Sequence, residues 1–311
     1  MSSTHWYKSI ILTLAATAAA FIPTAAQQQS PLNNTADGPS YSWGLVRLSV
    51  ASMRAQPSHS SEQVSQALMG TPVKITRQDG GWSHVTTPDG YSGHIIDHSL
   101  QFLSDSAMAR WCESPRVAVT ATHEFMATDS AGHPVTDLVN GCILQILPDG
   151  TLLTPDRRRI TPREKAYTML GQWSSAPFRP QDLPRFAERF TGVVYLWGGM
   201  SGKGMDCSGL VRMAYAAQGR ILPRDAWQQA TQGTEITSTD SLRAGDLIFF
   251  GNPQTKRITH VAIYDRDGEY IHASQMVRRN SLRKDSPLYL PLHIITMRRT
   301  EGKSFPVGRI L

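Results

Sequence analysis

A glycine-rich loop that runs straight into a helix opening on a cysteine constrains this chain more than any other feature. The nine residues Trp197-Gly198-Gly199-Met200-Ser201-Gly202-Lys203-Gly204-Met205 include four glycines, and Asp206-Cys207 follow at once. Leu210, Val211, Ala214 and Ala217 then recur at the spacing of one helix face. Asp206 is a residue type that caps helix starts, and Gly219 suits a left-handed stop. The pattern predicts a helix that begins at Cys207 and ends near Gly219. Unpaired N–H groups and the helix dipole favour negative charge in that first turn, which predicts a lowered thiol pKa. A lone cysteine on an apolar helix face is usually inert packing; here the preceding loop argues for a thiol that a substrate reaches.

A nucleophilic thiol needs a base, and two histidines lie on adjacent β-rich runs, Ile258-Thr259-His260-Val261-Ala262-Ile263-Tyr264 and Tyr270-Ile271-His272-Ala273-Ser274. If Arg266, Asp267 and Gly268 form a three-residue hairpin loop with Gly268 left-handed, Asp265 faces Glu269 and Ala262 faces His272. His260 is then a diagonal neighbour of His272 on the same face. A two-residue loop would put the two rings on opposite faces, so the geometry depends on this register. With Cys207 they fit a thiolate, a base and an orienting group.

At 311 residues the chain exceeds what one core holds, roughly 250–300 residues, and should divide. Residues 1–26 carry Lys8, an apolar run from Ile10 to Ile22 and the small residues Thr24, Ala25 and Ala26, the pattern of a cleaved secretory signal. The run is shorter than the ~20 residues of a spanning helix, and no later segment qualifies. An exported protein, periplasmic or extracellular, is expected. Residues 27–40 read as a flexible polar leader. From 41 to 103 short β-rich runs alternate with turns such as Asp79-Gly80-Gly81 and Pro88-Asp89-Gly90, which suits a small β-barrel. Residues 104–165 hold a second β-rich region from Arg116 to about Ile160, read as a diverged copy, and 166–311 is an α+β domain.

Three cysteines leave at least one thiol free in an oxidising space; Cys112 and Cys142 lie near each other, and both a bridge and two free thiols stay open. Formal charge is +6, and +5 without the first 26 residues, whose only formal charge is Lys8. Basic clusters at Arg157-Arg158-Arg159, Arg278-Arg279 and Arg298-Arg299 read as solvated faces, since no nucleic-acid motif accompanies them.

The segments Tyr195-Leu196-Trp197-Gly198-Gly199, Asp206-Cys207-Ser208-Gly209-Leu210-Val211, Leu222-Pro223-Arg224-Asp225 and Ala244-Gly245-Asp246-Leu247-Ile248-Phe249-Phe250, followed by the two histidine runs, resemble the NlpC/P60 cysteine peptidases. That resemblance implies a reduced papain-like α+β domain, here preceded by two small SH3-like β-barrels. It implies Cys207 as nucleophile, His260 as base and His272 as the third, orienting member, with no metal or cofactor. Upstream, Val50-Ala51 to Arg54, Ser58-His59-Ser60-Ser61-Glu62 and Asp89-Gly90-Tyr91-Ser92-Gly93 resemble the first SH3-like domain of γ-D-glutamyl-L-diamino acid endopeptidases, and Arg116-Val117 through Asn140-Gly141 the second. In such enzymes the first barrel closes one side of the cleft and holds the free L-Ala of the substrate.

By that resemblance Glu62, Tyr91 and Asp225 take the ammonium, Asp206 and Ser208 meet the D-glutamyl part, and Trp197 and Tyr195 form walls. Ala226 stands where relatives often carry Ser, so a backbone contact survives there and a hydroxyl contact does not. Each acid also has a plainer reading: Asp206 and Asp225 as helix caps, Asp225 with Gln228 three residues on, Tyr91 as barrel core and Glu62 as a solvated loop acid. The expected partners are peptidoglycan-derived L-Ala-γ-D-Glu-diamino acid peptides, with meso-diaminopimelate and L-Lys both open. Neither nucleic acid nor a membrane span is expected, and the chain should act as a monomer. The competing readings are a wall-binding protein with a relic peptidase domain, which the intact Cys207, His260 and His272 oppose, and an amidase or acyltransferase using the same Cys and His order.

Overall fold

The structure, a computed structural model, describes residues 41–162 and 166–306. The expected signal 1–26 and leader 27–40 lie outside them. The first seven strands are β1 (Trp43–Val46), β2 (Val50–Arg54), β3 (Gln63–Leu68), β4 (Pro72–Asp79), β5 (Trp82–Thr86), β6 (Ser92–Ile96) and β7 (Leu100–Leu103). They form one sheet in the order β3-β2-β6-β5-β4-β1-β7. Alternation sets its inner face: Ala51 and Met53 of β2 are buried while their neighbours are half-exposed, and they meet Val46, Val73, Val85 and Ile95.

Helix α1 (Asp105–Glu113), absent from the sequence expectation, starts where the Ser104 hydroxyl accepts the Ala107 N–H at 3.3 Å. It leads to β8 (Arg116–Val119), β9 (Phe125–Thr128), β10 (Pro134–Leu138), β11 (Ile143–Ile146), β12 (Leu152–Leu153), β13 (Arg159–Pro162) and β14 (Tyr167–Met169). Their order is β10-β9-β13-β12-β11-β8-β14. Replacing each strand by the one seven places earlier reproduces the first sheet, so the second region is wound as a strand-for-strand copy of the first.

The two barrels touch through backbone. The Ile143 N–H donates to the Met69 carbonyl at 2.8 Å, and Met69 sits in the second barrel's core. Gly70 has φ +81°, and a Cβ there would stand 1.9 Å from the Ile143 carbonyl oxygen, so only glycine fits. Cys142 is packed in that core with its thiol 3.6 Å from the Ser49 carbonyl, whereas Cys112 packs with Trp43 and Met108. The thiols belong to different clusters, and no bridge forms: all three cysteines are free.

The last region contains α2 (Leu170–Ser175), α3 (Leu183–Glu188), the two-residue strands β15 (Met200–Ser201) and β16 (Gly204–Met205), α4 (Cys207–Ala216), β17 (Arg220–Ile221) and α5 (Ala226–Gln229). It continues with β18 (Thr234–Glu235), β19 (Leu247–Gly251), β20 (Ile258–Tyr264), β21 (Glu269–Ser274), β22 (Met276–Ser281), β23 (Ile294–Arg299) and β24 (Lys303–Ser304). Six of these form a sheet ordered β18-β23-β19-β20-β21-β22. Leu247, Phe249, Val261, Ile263 and Ile271 pack with Leu210, Val211 and Ala214 of α4, while Ile248, Phe250, Ala262, Tyr264 and Tyr270 form a second cluster. Burial on both sides explains the unbroken apolar run Leu247–Phe250. Each large side chain so buried contributes about 1.5–3 kcal/mol, which anchors the strands that carry the histidines. No helix among the described residues is long and apolar enough to cross a membrane.

Candidate active site

Asp206 is the N-cap of α4: its backbone is extended (φ −90°, ψ −179°) and its Oδ1 accepts the Gly209 N–H at 2.7 Å. Cys207 is therefore the first helical residue, as the sequence pattern predicts. Its environment differs from the expectation in one respect. The Ser208 and Val261 N–H groups at the sulfur favour a thiolate, yet burial, with the Asp206 charge adding, pushes the thiol up to about 11. A helix terminus contributes about 0.3–1 kcal/mol, less than one pH unit, whereas full burial of an anion shifts a pKa by several. Burial wins.

The histidine hairpin has the register that a three-residue loop dictates. Ile263 pairs with Ile271 and Tyr264 with Tyr270, and the Asp265 N–H donates to the Glu269 carbonyl at 2.9 Å. Gly268 is left-handed (φ 80°), and Asp267 joins it at φ 53°. This brings His260 Nε2 to 2.7 Å from His272 Nδ1. A register shift between Phe250 and Gly251 marks a bulge at the start of β20, the kind of irregularity that re-aims a side chain beside a cleft. The Val261 amide at the thiol follows His260 directly in the chain. Burial, then His272 and Arg278, lowers His260 to about 3; burial, with Arg278 adding, lowers His272 to about 4. Burial thus favours the uncharged form of all three groups.

His272 Nε2 stands 2.9 Å from Asn280 Oδ1, and Asn280 Nδ2 donates to the Leu288 carbonyl at 2.8 Å. Nothing in the sequence pattern singled out Asn280. It comes into place only through the pairing of β21 with β22, which sets Tyr270 opposite Asn280 and His272 opposite Arg278.

Cys207 opens onto a cleft of about 670 Å³. The first barrel supplies Glu62, Val64 and Tyr91 to its wall, and the last region supplies Trp197, Asp206, Ser208, Asp225, Ala226 and Trp227. Of the residues expected at the substrate, only Tyr195 is not on this lining; it is half-buried, and burial with the Cys207 and Asp206 charges raises its pKa, so its hydroxyl stays a donor. Tyr91 packs on the barrel core, yet its hydroxyl reaches Asp225, and burial with that carboxylate pushes it up to about 12. Burial raises Asp225, which caps α5 while its own N–H donates to Gln228 Oε1 at 2.9 Å. Glu62 is exposed, as a loop acid would be, and its Oε1 accepts the Trp197 indole N–H at 2.7 Å. Ala226 is the first residue of α5 and is 9% exposed.

Asp206 is engaged from within. Oδ1 accepts from Gly209, Ser208 and Arg224, and Oδ2 from Gly198 and Arg224. Arg224, 1% exposed, also donates to Ser208 Oγ at 2.8 Å and to Ser65 Oγ of the first barrel at 3.0 Å. The sequence shows Arg224 inside its motif but not this partnership. Lys256 and Arg257, also unanticipated, line the cleft from the loop before β20.

The barrel also grips the glycine loop. Gln63 Nε2 donates to the Trp197 carbonyl at 2.9 Å, and Gln66 Oε1 accepts the Met200 N–H at 2.8 Å. Across the same boundary Arg212 Nη1 meets Asp89 Oδ2 at 2.6 Å.

The NlpC/P60 family profile matches residues 192–291, and the bacterial SH3 domain profile matches 49–101. A γ-D-glutamyl-L-lysine dipeptidyl-peptidase of Bacillus subtilis is 40% identical over 229 residues, 67% of this chain and 71% of that protein. Its Bacillus cereus namesake is 30% identical over 229 residues, 69% and 68% of the two chains. Dipeptidyl-peptidase 6 of Lysinibacillus sphaericus is 29% identical over 264 residues, 79% of this chain and 93% of that protein. Among solved structures, an NlpC/P60 family protein from Bacillus cereus has the same fold, with a TM-score of 0.72 at 24% identity, covering 83% of this chain and 99% of that one. With a helix that opens on Cys207 beside a coupled histidine hairpin, and with relatives of this kind over two thirds of its length, the chain belongs to the NlpC/P60 family of cysteine peptidases.

Proposed function

We propose that this protein hydrolyses the bond between the γ-carboxyl of D-glutamate and the next diamino acid in peptidoglycan stem peptides with a free N-terminal L-Ala, releasing L-Ala-γ-D-Glu. The observation that carries this reading is a cleft shared between two domains, with Cys207 on one part of its wall and Glu62, Tyr91 and Asp225 on another. Of the three carboxylates on this lining, Asp206 is taken up by Arg224, which leaves Glu62 and Asp225, with the Tyr91 phenol, as acceptors that fit an ammonium. The relatives' names point to the same bond.

In this reading Cys207 is the nucleophile, His260 the base and His272 the group that orients it. The thiol proton passes to His260 as sulfur attacks the γ-carbonyl, since burial favours the uncharged form of both partners. The Cys207 N–H and the Tyr195 hydroxyl meet the oxyanion. His260 then protonates the leaving amine of the diamino acid, and water, deprotonated by the same ring, hydrolyses the thioester. Ser208, backed by Arg224, takes the D-glutamyl carboxylate, while Asp206 holds both in place. Trp197 walls the cleft, and Ala226 offers backbone only. Lys256 and Arg257 supply positive charge for carboxylates of the diamino acid. Residues 41–103 and 104–165 are taken as SH3-like domains and 166–311 as the peptidase domain. The segment 1–26 is taken as the export signal, which puts the reaction in the periplasm or outside the cell.

Incubation of the purified protein with L-Ala-γ-D-Glu-meso-diaminopimelate, its L-Lys counterpart, their N-acetyl forms and intact sacculi, with fragments identified by mass, tests this. Release of L-Ala-γ-D-Glu from the free-amine peptides is expected. Efficient clearing of intact sacculi, or sugars freed with a bare lactyl group, overturns the reading.

A further inference from the structure

The hydrogen-bond chain that joins His260 to His272 continues to a further group, Asn280, whose orientation is fixed from outside the site. The Leu288 carbonyl accepts two N–H donors, the Asn280 side-chain amide at 2.8 Å and the Ser281 backbone at 2.9 Å. A carbonyl only accepts, so the atom of Asn280 facing it is the NH₂ and the atom facing His272 is the oxygen. The usual ambiguity of an amide flip is therefore removed by the network itself.

That orientation propagates. Asn280 Oδ1 accepts, so His272 Nε2, 2.9 Å away, carries the hydrogen. His272 Nδ1 of the neutral ring is then a lone pair, and it accepts from His260 Nε2 at 2.7 Å. His260 Nε2 in turn carries a hydrogen, which leaves Nδ1 as the one nitrogen of the neutral ring with a free lone pair. We propose that Asn280 is a positioning residue, which through His272 locks His260 in the Nε2–H tautomer and so reserves Nδ1 for the thiol proton. The inference rests on the reading of His260 as the base.

The arrangement does what an orienting carboxylate does in other triads, with a neutral acceptor in its place. A carboxylate would hold the tautomer and also stabilise the imidazolium. Asn280 holds the tautomer alone, and Arg278, the residue opposite His272 on β22, is a cation. The ring thus stays a neutral acceptor until the thiol gives up its proton.

The test uses ¹⁵N-histidine spectra and steady-state kinetics of the full chain. In the Cys207→Ala protein at neutral pH, both His260 and His272 are expected as Nε2–H tautomers. Asn280→Leu, close in size and lacking the acceptor, is expected to let His272 populate the Nδ1–H form and to lower kcat by roughly tenfold or more with KM within about twofold. Asn280→Asp keeps an acceptor and should restore the tautomer. His272 found as Nδ1–H in the Cys207→Ala protein overturns the proposal without any Asn280 variant, which covers the case of Asn280→Leu failing to fold. Unchanged tautomers and kcat in Asn280→Leu overturn it as well. The base assignment fails separately, if His260→Ala keeps near wild-type turnover.

Discussion

Arg224 and Asp206 meet as a bidentate ion pair with both partners buried, Nη2–Oδ2 at 2.5 Å and Nη1–Oδ1 at 3.1 Å. Removing one partner strands the other charge away from water. Arg224→Ala is expected to cost about 3–5 kcal/mol of stability, and Arg224→Lys to recover only part, because an ammonium cannot span both oxygens. Urea denaturation measures this; an unchanged midpoint for Arg224→Ala would mean that the pair contributes nothing.

Cys207→Ala should abolish turnover and leave the fold intact. A resting thiol pushed up to about 11 also predicts how the free enzyme reacts. Its alkylation by iodoacetamide should rise steadily with pH from 5 to 9, as the thiolate fraction grows. A rate that is flat across the acidic range would reveal a preformed thiolate–imidazolium pair.

The two histidines predict an acid-labile fold. Their folded values, about 3 and about 4, lie below the ordinary value near 6.5. Between those limits the unfolded chain binds more protons than the folded one, so stability rises with pH there and is lost as pH falls from about 6.5. Above that range their contribution is fully present. Melting curves from pH 7 to 4 should fall less steeply for His272→Gln than for wild type, and equal slopes would remove His272 from the account.

Glu62 bridges to Trp197 and lines the cleft with Asp225. Glu62→Gln should lower kcat/KM for the free-amine tripeptide and narrow its advantage over the N-acetyl form. A ratio unchanged by the substitution would place ammonium recognition elsewhere.

Local geometry was legible in the sequence. The Asp206 cap, the left-handed Gly219 (φ 69°) and the histidine register follow from residue types and loop length over a few positions. Long-range placement was not. Arg224 lies eighteen positions from Asp206 and meets Ser65 of another domain, and Asn280 reaches His272 only when β22 pairs with β21. Helix α1 was missed because its apolar face, Met108 and Cys112, lies in a short, mostly polar segment between two β-rich regions. The thiol shift was misjudged because burial comes from packing against Val261 on a distant strand, which a helix-terminus argument does not see.

The grip of Gln63 and Gln66 on the loop before α4 also bears on how such a protein is inherited. A recombination that carried the segment from Trp197 onward to a foreign barrel would deliver the cysteine and both histidines. It would leave behind the two side chains that hold the Trp197 carbonyl and the Met200 N–H, together with Ser65 against Arg224. A peptidase domain moved in this way would have to find new partners for that carbonyl, that N–H and the buried guanidinium of Arg224.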